Sequence, residues 1–159
     1  MTIDRTELRR VMGHFATGVA VITTRDVDGK PHGLTVNALC SVSLDPPLLL
    51  VCLDKRAESH PALGRAGAFA VNILGHRHED LSRRFATSGG DKFGHVSHRV
   101  GRTGVPILDG VLGVVECRVI AAHDAGDHTI YLGEVEHLEA SEGDPLLFFR
   151  GKYRRLSGN

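Results

Sequence analysis

The longest uninterrupted apolar run in the chain is six residues, Leu48 to Leu53, held between Pro46-Pro47 and Asp54-Lys55. A membrane-spanning helix needs about 20 apolar residues, so this run reads as a strand instead, apolar on both faces and therefore buried. The rest of the chain repeats that scale. Val19 to Thr24 is β-branched and reads as a strand. Asp28-Gly29 then gives a turn, and His32 to Val36 returns, so the pair is a hairpin. Phe69 to Ile73 is another strand. Val114 to Ala122 and Thr129 to Val135 flank Asp124-Ala125-Gly126-Asp127, a second hairpin turn, and Leu146 to Phe149 and Lys152 to Leu156 close the chain.

Helical signals are few and short. Leu8, Val11, Met12 and Phe15 share one helical face, with Asp4 and Glu7 spaced as a capping box, and Gly18 ends helical character. Ser59-His60-Pro61 opens a second helix with a hydroxyl at the cap and proline in the first turn. Leu74, His78, Leu81 and Phe85 share a face of a third, followed by a glycine-containing loop from Thr87 to Gly94. No regular βαβ alternation appears. The expectation is a mainly β fold with short helices, a barrel or sandwich, in one domain over residues 1–159.

A chain of 159 residues buries enough surface to need no metal or disulfide staple. Lys+Arg and Asp+Glu both number 19, which argues against a nucleic-acid surface. Cys40, Cys52 and Cys117 are odd in number and form no CxxC pair, which fits a reducing compartment. The stretch MTIDRTELRR has neither the apolar core nor the cleavage site of a secretory signal. Both point to the cytoplasm and away from a membrane. GxGxxG, GxxxxGK[ST] and GxSxG are absent. His76 and His78, two apart, do not face one another on a helix, and His95 and His98 lack a third ligand at metal spacing, so no metal is expected. Arg83-Arg84 and Arg154-Arg155 read as solvated pairs.

Thr35-Val36-Asn37-Ala38-Leu39-Cys40-Ser41-Val42-Ser43 gathers small polar residues after a predicted strand. Such residues let main chain approach a flat ligand and offer it hydroxyl and amide groups. They equally suit an edge strand rich in Thr and Ser, and the residues alone do not choose.

The ordered set Phe15-Ala16-Thr17-Gly18-Val19-Ala20-Val21-Ile22-Thr23-Thr24, Gly33-Leu34-Thr35-Val36-Asn37-Ala38, Ser41-Val42-Ser43-Leu44-Asp45-Pro46-Pro47, Phe69 to Leu74, Leu81-Ser82-Arg83-Arg84-Phe85-Ala86, Gly126-Asp127-His128-Thr129-Ile130 and Asp144 to Tyr153 resembles the short-chain flavin reductases, the small reductase components of two-component flavin monooxygenases. The resemblance implies an FMN-binding split β-barrel, a homodimer with flavin sites near the subunit interface, and hydride transfer from NADH or NADPH to FMN or FAD. It implies that reduced flavin passes to a separate oxygenase component.

Carried onto this sequence, the isoalloxazine cradle falls on Thr35, Val36, Asn37, Ala38, Ser41, Val42 and Ser43, with a second wall on Cys52, Leu53, Asp54 and Lys55. The phosphate side falls on the helix start at Ser59, where free N–H groups and the charges of Lys55 and Arg56 suit an anion, though Ser59 is equally a plain cap. Phe85 and Ala86 match the segment beside the flavin. His128 matches the position beside the nicotinamide, with a role at the hairpin shoulder as the competing reading, and Lys152 and Tyr153 complete that pocket. No side chain is expected to act as a catalytic acid, base or nucleophile, because the two rings carry the chemistry. A split-barrel flavin oxidase acting on another small substrate and a non-catalytic FMN-binding protein are the alternatives.

Overall fold

The computed structural model describes residues 2–157. Helix α1 (Arg5–Met12) starts at Asp4, whose carboxylate accepts from the Thr6 N–H. The expected reciprocal half of the capping box is missing, because Arg10 takes the Glu7 carboxylate at 2.6 and 2.8 Å. No residue of α1 is buried, so the apolar face anticipated from its spacing lies in solvent.

Strands β1 (Thr17–Gly18), β2 (Ala20–Arg25) and β3 (Pro31–Val36) follow. The β2–β3 hairpin turns where Asp26 Oδ1 accepts from the N–H groups of Asp28 and Lys30 and Gly29 adopts φ +81°. Strands β4 (Leu39–Leu44) and β5 (Pro47–Asp54) form the next pair, with a register shift at Val42. In β5, burial alternates: Leu49, Val51 and Leu53 are buried while Leu48, Leu50 and Cys52 are not. The expectation of burial on both faces fails because the second face of β5 is the outer surface of the sheet.

Helix α2 (His60–Ala66) ends at left-handed Gly67, and β6 (Ala68–Ile73) follows. Helix α3 (Glu79–Ala86) begins only after His78. Leu74 is therefore not on its face: the Leu74 N–H donates to Val19 O, and its carbonyl accepts from the Leu146 N–H, which ties it into extended chain. A small ribbon, β7 (His98–Val100) with β8 (Pro106–Leu108), gave no clear signal in the sequence. The second hairpin is longer than expected, β9 (Gly113–Ala125) with β10 (His128–Ala140), and β11 (Leu147–Phe149) and β12 (Lys152–Arg154) end the fold.

Seven antiparallel strands form one sheet in the order β3-β2-β6-β9-β10-β5-β4. Its two edges, β3 and β4, are consecutive in the chain and joined by only Asn37 and Ala38. Laid flat, six inter-strand spacings would set those edges about 29 Å apart, whereas three Cα steps reach about 11 Å. The sheet must therefore curl until its edges approach. They are joined only through Asn37 and Ala38, where the Cys52 N–H donates to Ala38 O at 2.9 Å and extends the β4–β5 pairing by one residue, and among the described residues β3 and β4 do not pair. The result is a barrel with an open seam: a split β-barrel.

Alternation along β2 divides the core. Ala20 and Ile22 join Val51, Leu53, Phe69 and Tyr131 inside the barrel. Val19 and Val21 join Leu74, Phe85, Ile107 and Leu146 in an outer layer covered by α3 and the ribbon. Buried Asn72 pins that ribbon: its amide donates to Val21 O and Thr23 Oγ1, and its Oδ1 accepts from the Leu108 N–H at 2.9 Å. Among the described residues no helix is long and apolar enough to cross a membrane.

Candidate functional site

The seam leaves one edge of β3 without a strand partner. The Gly33 carbonyl points off that edge, where it accepts from Ser59 Oγ at 3.0 Å and from Lys92 Nζ at 3.3 Å. Main-chain groups alternate sides along an antiparallel strand, so the N–H and C=O of Thr35 face the same way. Two concavities lie along this edge. One, of about 380 Å³, is charged: Lys30, His32, Ser59 and Lys92 line it with Glu58 and Asp91. The other, of about 200 Å³, is a mostly apolar groove between Val19, Val36, Ala86 and Phe148, with Thr35, Asn37 and Tyr153 supplying polar groups.

Helix α3 builds the wall of the groove. It lies so close to β3 that a Cβ added to Gly33 would stand 2.7 Å from the Phe85 ring. Thr35 Oγ1 donates to Ser82 O at 2.6 Å, and Ser82 Oγ shares a 2.7 Å hydrogen bond with Tyr153 OH. The Tyr153 ring packs edge-on against Phe148, and the Arg83 guanidinium stands 4.8 Å from its centroid. Such a slot, apolar on its faces and polar at its rim, suits a planar heteroaromatic ring.

The residues anticipated from sequence divide into groups. Thr35, Val36, Asn37, Ala86 and Tyr153 line the groove together, and Phe85 is buried against Gly33. Tyr153 thus sits with the residues anticipated for the flavin, while Lys152 is exposed on β12. Ala38 and Cys52 pair where the chain enters β4, and burial raises the Cys52 thiol. Leu53 is wholly buried and points into the barrel, so its side chain forms core. Ser41, Val42 and Ser43 lie on edge strand β4 and line neither concavity.

Ser59 is not a cap. Its backbone is helical (φ −79°, ψ −13°) rather than extended, so its hydroxyl cannot return to the first turn and ties α2 to β3 instead. It does line the charged concavity. Lys55 and Arg56, anticipated at the same place, spend their charges elsewhere. Lys55 donates to Gly126 O and pairs with Asp124, and Arg56 grips Asp54 through Nε and Nη2. The Arg56 side-chain hydrogen bonds, then the Arg56 N–H, hold Asp54 well below the usual carboxylate range.

His128 stands opposite Asp54 across the β10–β5 pair, and its Nδ1 is 2.7 Å from Asp127 Oδ1. An ionised carboxylate only accepts, so Nδ1 carries the proton. In a neutral ring Nε2 is then left as an acceptor. The hydrogen bond to His128 lowers Asp127 in turn. Among the described residues no three His, Cys, Asp or Glu side chains gather as a metal site.

Lys92 and Lys30 escaped the sequence reading. Lys92 lies in the loop after α3, where no periodicity marks it, and its ammonium reaches Gly33 O and Phe85 O only through the fold. Val19 and Phe148 were legible as strand residues but not as groove walls.

The family described as flavin reductase like domain matches residues 12–157. A probable flavin reductase of Rhizobium meliloti is 45% identical over 98% of this chain, which spans 50% of that longer protein. An FMN reductase (NADH), SmoA, of Agrobacterium fabrum is 45% identical over 94% of this chain and 84% of its own length. The crystal structure of a nitrilotriacetate monooxygenase component B homologue from Mycobacterium thermoresistibile superposes with a TM-score of 0.93, at 39% identity, covering 97% of this chain and 87% of that one.

Proposed function

The chain belongs to the flavin reductase-like family, and from that premise we propose that it is an NADH-dependent flavin reductase that supplies reduced flavin to a separate monooxygenase component. The observation that carries the reading is the groove along the open edge of β3. It offers apolar faces for a flat ring and, at its rim, the main chain of Thr35 with the side chains of Asn37 and Tyr153. The charged concavity farther along the same edge, with Lys30, Lys92 and the Ser59 hydroxyl, suits the phosphate end of the same ligand.

A bound flavin accepts hydride and a nicotinamide donates it, so the cofactors supply the reactive atoms. The contribution of this chain is orientation, worth most when the reacting atoms are held about 3–3.5 Å apart. His128, with Nδ1–H committed to Asp127, offers Nε2 as an acceptor for the carboxamide NH₂ of the nicotinamide. An open groove suits a flavin that must leave once reduced. The relative that is a monooxygenase component supports the same division of labour.

A homodimer fits this reading. Helix α1 has eight residues, too few for a stable isolated helix in water, and Leu8, Val11, Met12 and Phe15 are 54%, 52%, 57% and 73% exposed. A second copy covering that face supplies the missing packing, and a monomeric mass in light scattering would remove this part of the proposal. Cys40, Cys52 and Cys117 are all free, in keeping with work in the reducing cytoplasm.

The decisive experiment mixes the purified protein with NADH and FMN and follows NADH absorbance. Loss over many turnovers, dependent on added flavin, is expected. Stoichiometric loss or none overturns the enzyme reading in favour of a flavin carrier.

A further inference from the structure

We infer that Ser82 is a positioning residue that fixes the width of the groove by bonding to both of its sides. The inference rests on the reading of that groove as the flavin site.

Ser82 lies in the middle of α3 and is fully buried. Serine is a poorer helix former than alanine because its hydroxyl competes for backbone partners, and a buried hydroxyl left unpaired is costly. Here it is paired. Ser82 Oγ meets Tyr153 OH at 2.7 Å, while the carbonyl of the same residue accepts from Thr35 Oγ1 at 2.6 Å. Thr35 and Tyr153 line the groove from different elements, β3 and β12. One helical residue therefore tethers a groove residue of the barrel edge and one of the C-terminal strand.

The tether matters most for Tyr153. Among the described residues β12 is the final strand and pairs only with β11, at the edge of a three-stranded sheet separate from the barrel. The main chain of β12 is thus held from one side. Tyr153 OH to Ser82, with the Arg83 contact on the ring, joins it to α3 across the groove. Without the Ser82 hydroxyl the phenol OH loses its hydrogen bond to the helix, the Arg83 and Phe148 contacts hold the ring less tightly, and ordering it again is charged against flavin binding.

The test reads flavin affinity directly, by quenching of FMN and riboflavin fluorescence, beside steady-state kinetics. Ser82→Ala is expected to raise the flavin Kd and KM by roughly 3- to 10-fold, the worth of one neutral hydrogen bond, with kcat at saturating flavin near that of the parent. Tyr153→Phe removes the other half of the bond and is expected to give at least that rise, and the double variant no rise beyond that of Tyr153→Phe. A merely structural Ser82 predicts loss of thermal stability with unchanged flavin Kd, or effects of the two variants that simply add, and either overturns the inference. Tyr153→Ala separates the premise from the inference. If Tyr153→Ala binds flavin like the parent, the groove is not the flavin site and both fall. If Tyr153→Ala weakens binding and Ser82→Ala does not, the groove reading stands and the role of Ser82 falls.

Discussion

Gly33 lies directly beneath Phe85, with a hypothetical Cβ only 2.7 Å from the aromatic ring. The absence of a side chain at 33 is what lets α3 approach the open edge of the barrel and bring Ala86 to the groove. Gly33 needs no left-handed backbone, so the constraint is steric alone. Gly33→Ala is expected to cost about 1–3 kcal/mol, the usual range for overpacking a filled core, and to weaken flavin binding because α3 is pushed away from Thr35. Urea denaturation measures the first effect and fluorescence quenching the second. Phe85→Leu in the same chain is expected to restore part of the binding by relieving the contact. Unaltered stability and binding in Gly33→Ala would show that α3 is not seated on β3 as described.

Glu116 gives a prediction about acid stability. It is buried, and burial alone raises its carboxyl, but hydrogen bonds from the Thr103 N–H and hydroxyl and from the Arg102 N–H outweigh that and lower it. A native carboxyl that titrates below its unfolded counterpart stabilises the fold fully above the ordinary glutamate range, and the contribution fades as pH falls through the lower native value. Glu116→Gln is expected to lose about 1.5–3 kcal/mol at neutral pH, the range for hydrogen bonds to a charged group, and to flatten the acid limb of stability against pH. Parallel pH profiles of the two proteins would contradict this.

How far the sequence carries the structure differs from segment to segment. The hairpins were legible because β-branched runs met clear turn signals, as at Val19 to Val36. The closure of the sheet into a split barrel was legible only through the family resemblance, since it depends on the order of strands in space: no local pattern says that β3 and β4, two residues apart, lie on opposite edges. The face of α1 was legible as apolar but not as exposed, because periodicity reports that a face wants burial and says nothing of what buries it. The same limit governs the site. Thr35, Val36 and Asn37 were marked by small polar residues at a strand end, and they line the groove. Lys92 reaches the edge of β3 from 59 positions along the chain, so only the fold associates them.

Lys92 is the residue on which the phosphate end of the charged concavity can be tested. Its ammonium is held near that cavity by Gly33 O and Phe85 O, both at 3.3 Å, which leaves one of its three N–H donors free for a ligand. Lys92→Met keeps the stem and removes the charge. Its Kd for FMN is expected to rise by roughly 10- to 100-fold, the range for a hydrogen bond to a charged group, while its Kd for riboflavin, which has no phosphate, is expected to change little. Comparing the two ligands cancels any general loosening of the loop. An equal rise for both would place the phosphate elsewhere.

His128 carries the corresponding test for the nicotinamide. Its side chain is 41% exposed and its partner Asp127 is 78% exposed, so the pair contributes little to stability and its removal leaves the fold intact. What the pair fixes is direction, since Nδ1–H is committed to Asp127 and Nε2 is left to accept. His128→Ala is expected to raise KM for NADH roughly 3- to 10-fold, one hydrogen bond's worth, with kcat at saturating NADH and KM for FMN close to the parent. Asp127→Asn frees the ring to exchange its protonated nitrogen and is expected to raise KM for NADH by less. A dinucleotide whose carboxamide is replaced by acetyl supplies the control: it keeps the carbonyl and adds no charge but has no N–H to donate to Nε2, so its inhibition constant should be indifferent to His128→Ala. An unchanged KM for NADH and kcat in His128→Ala would remove His128 from the nicotinamide site and leave it as a residue that shapes the β9–β10 turn.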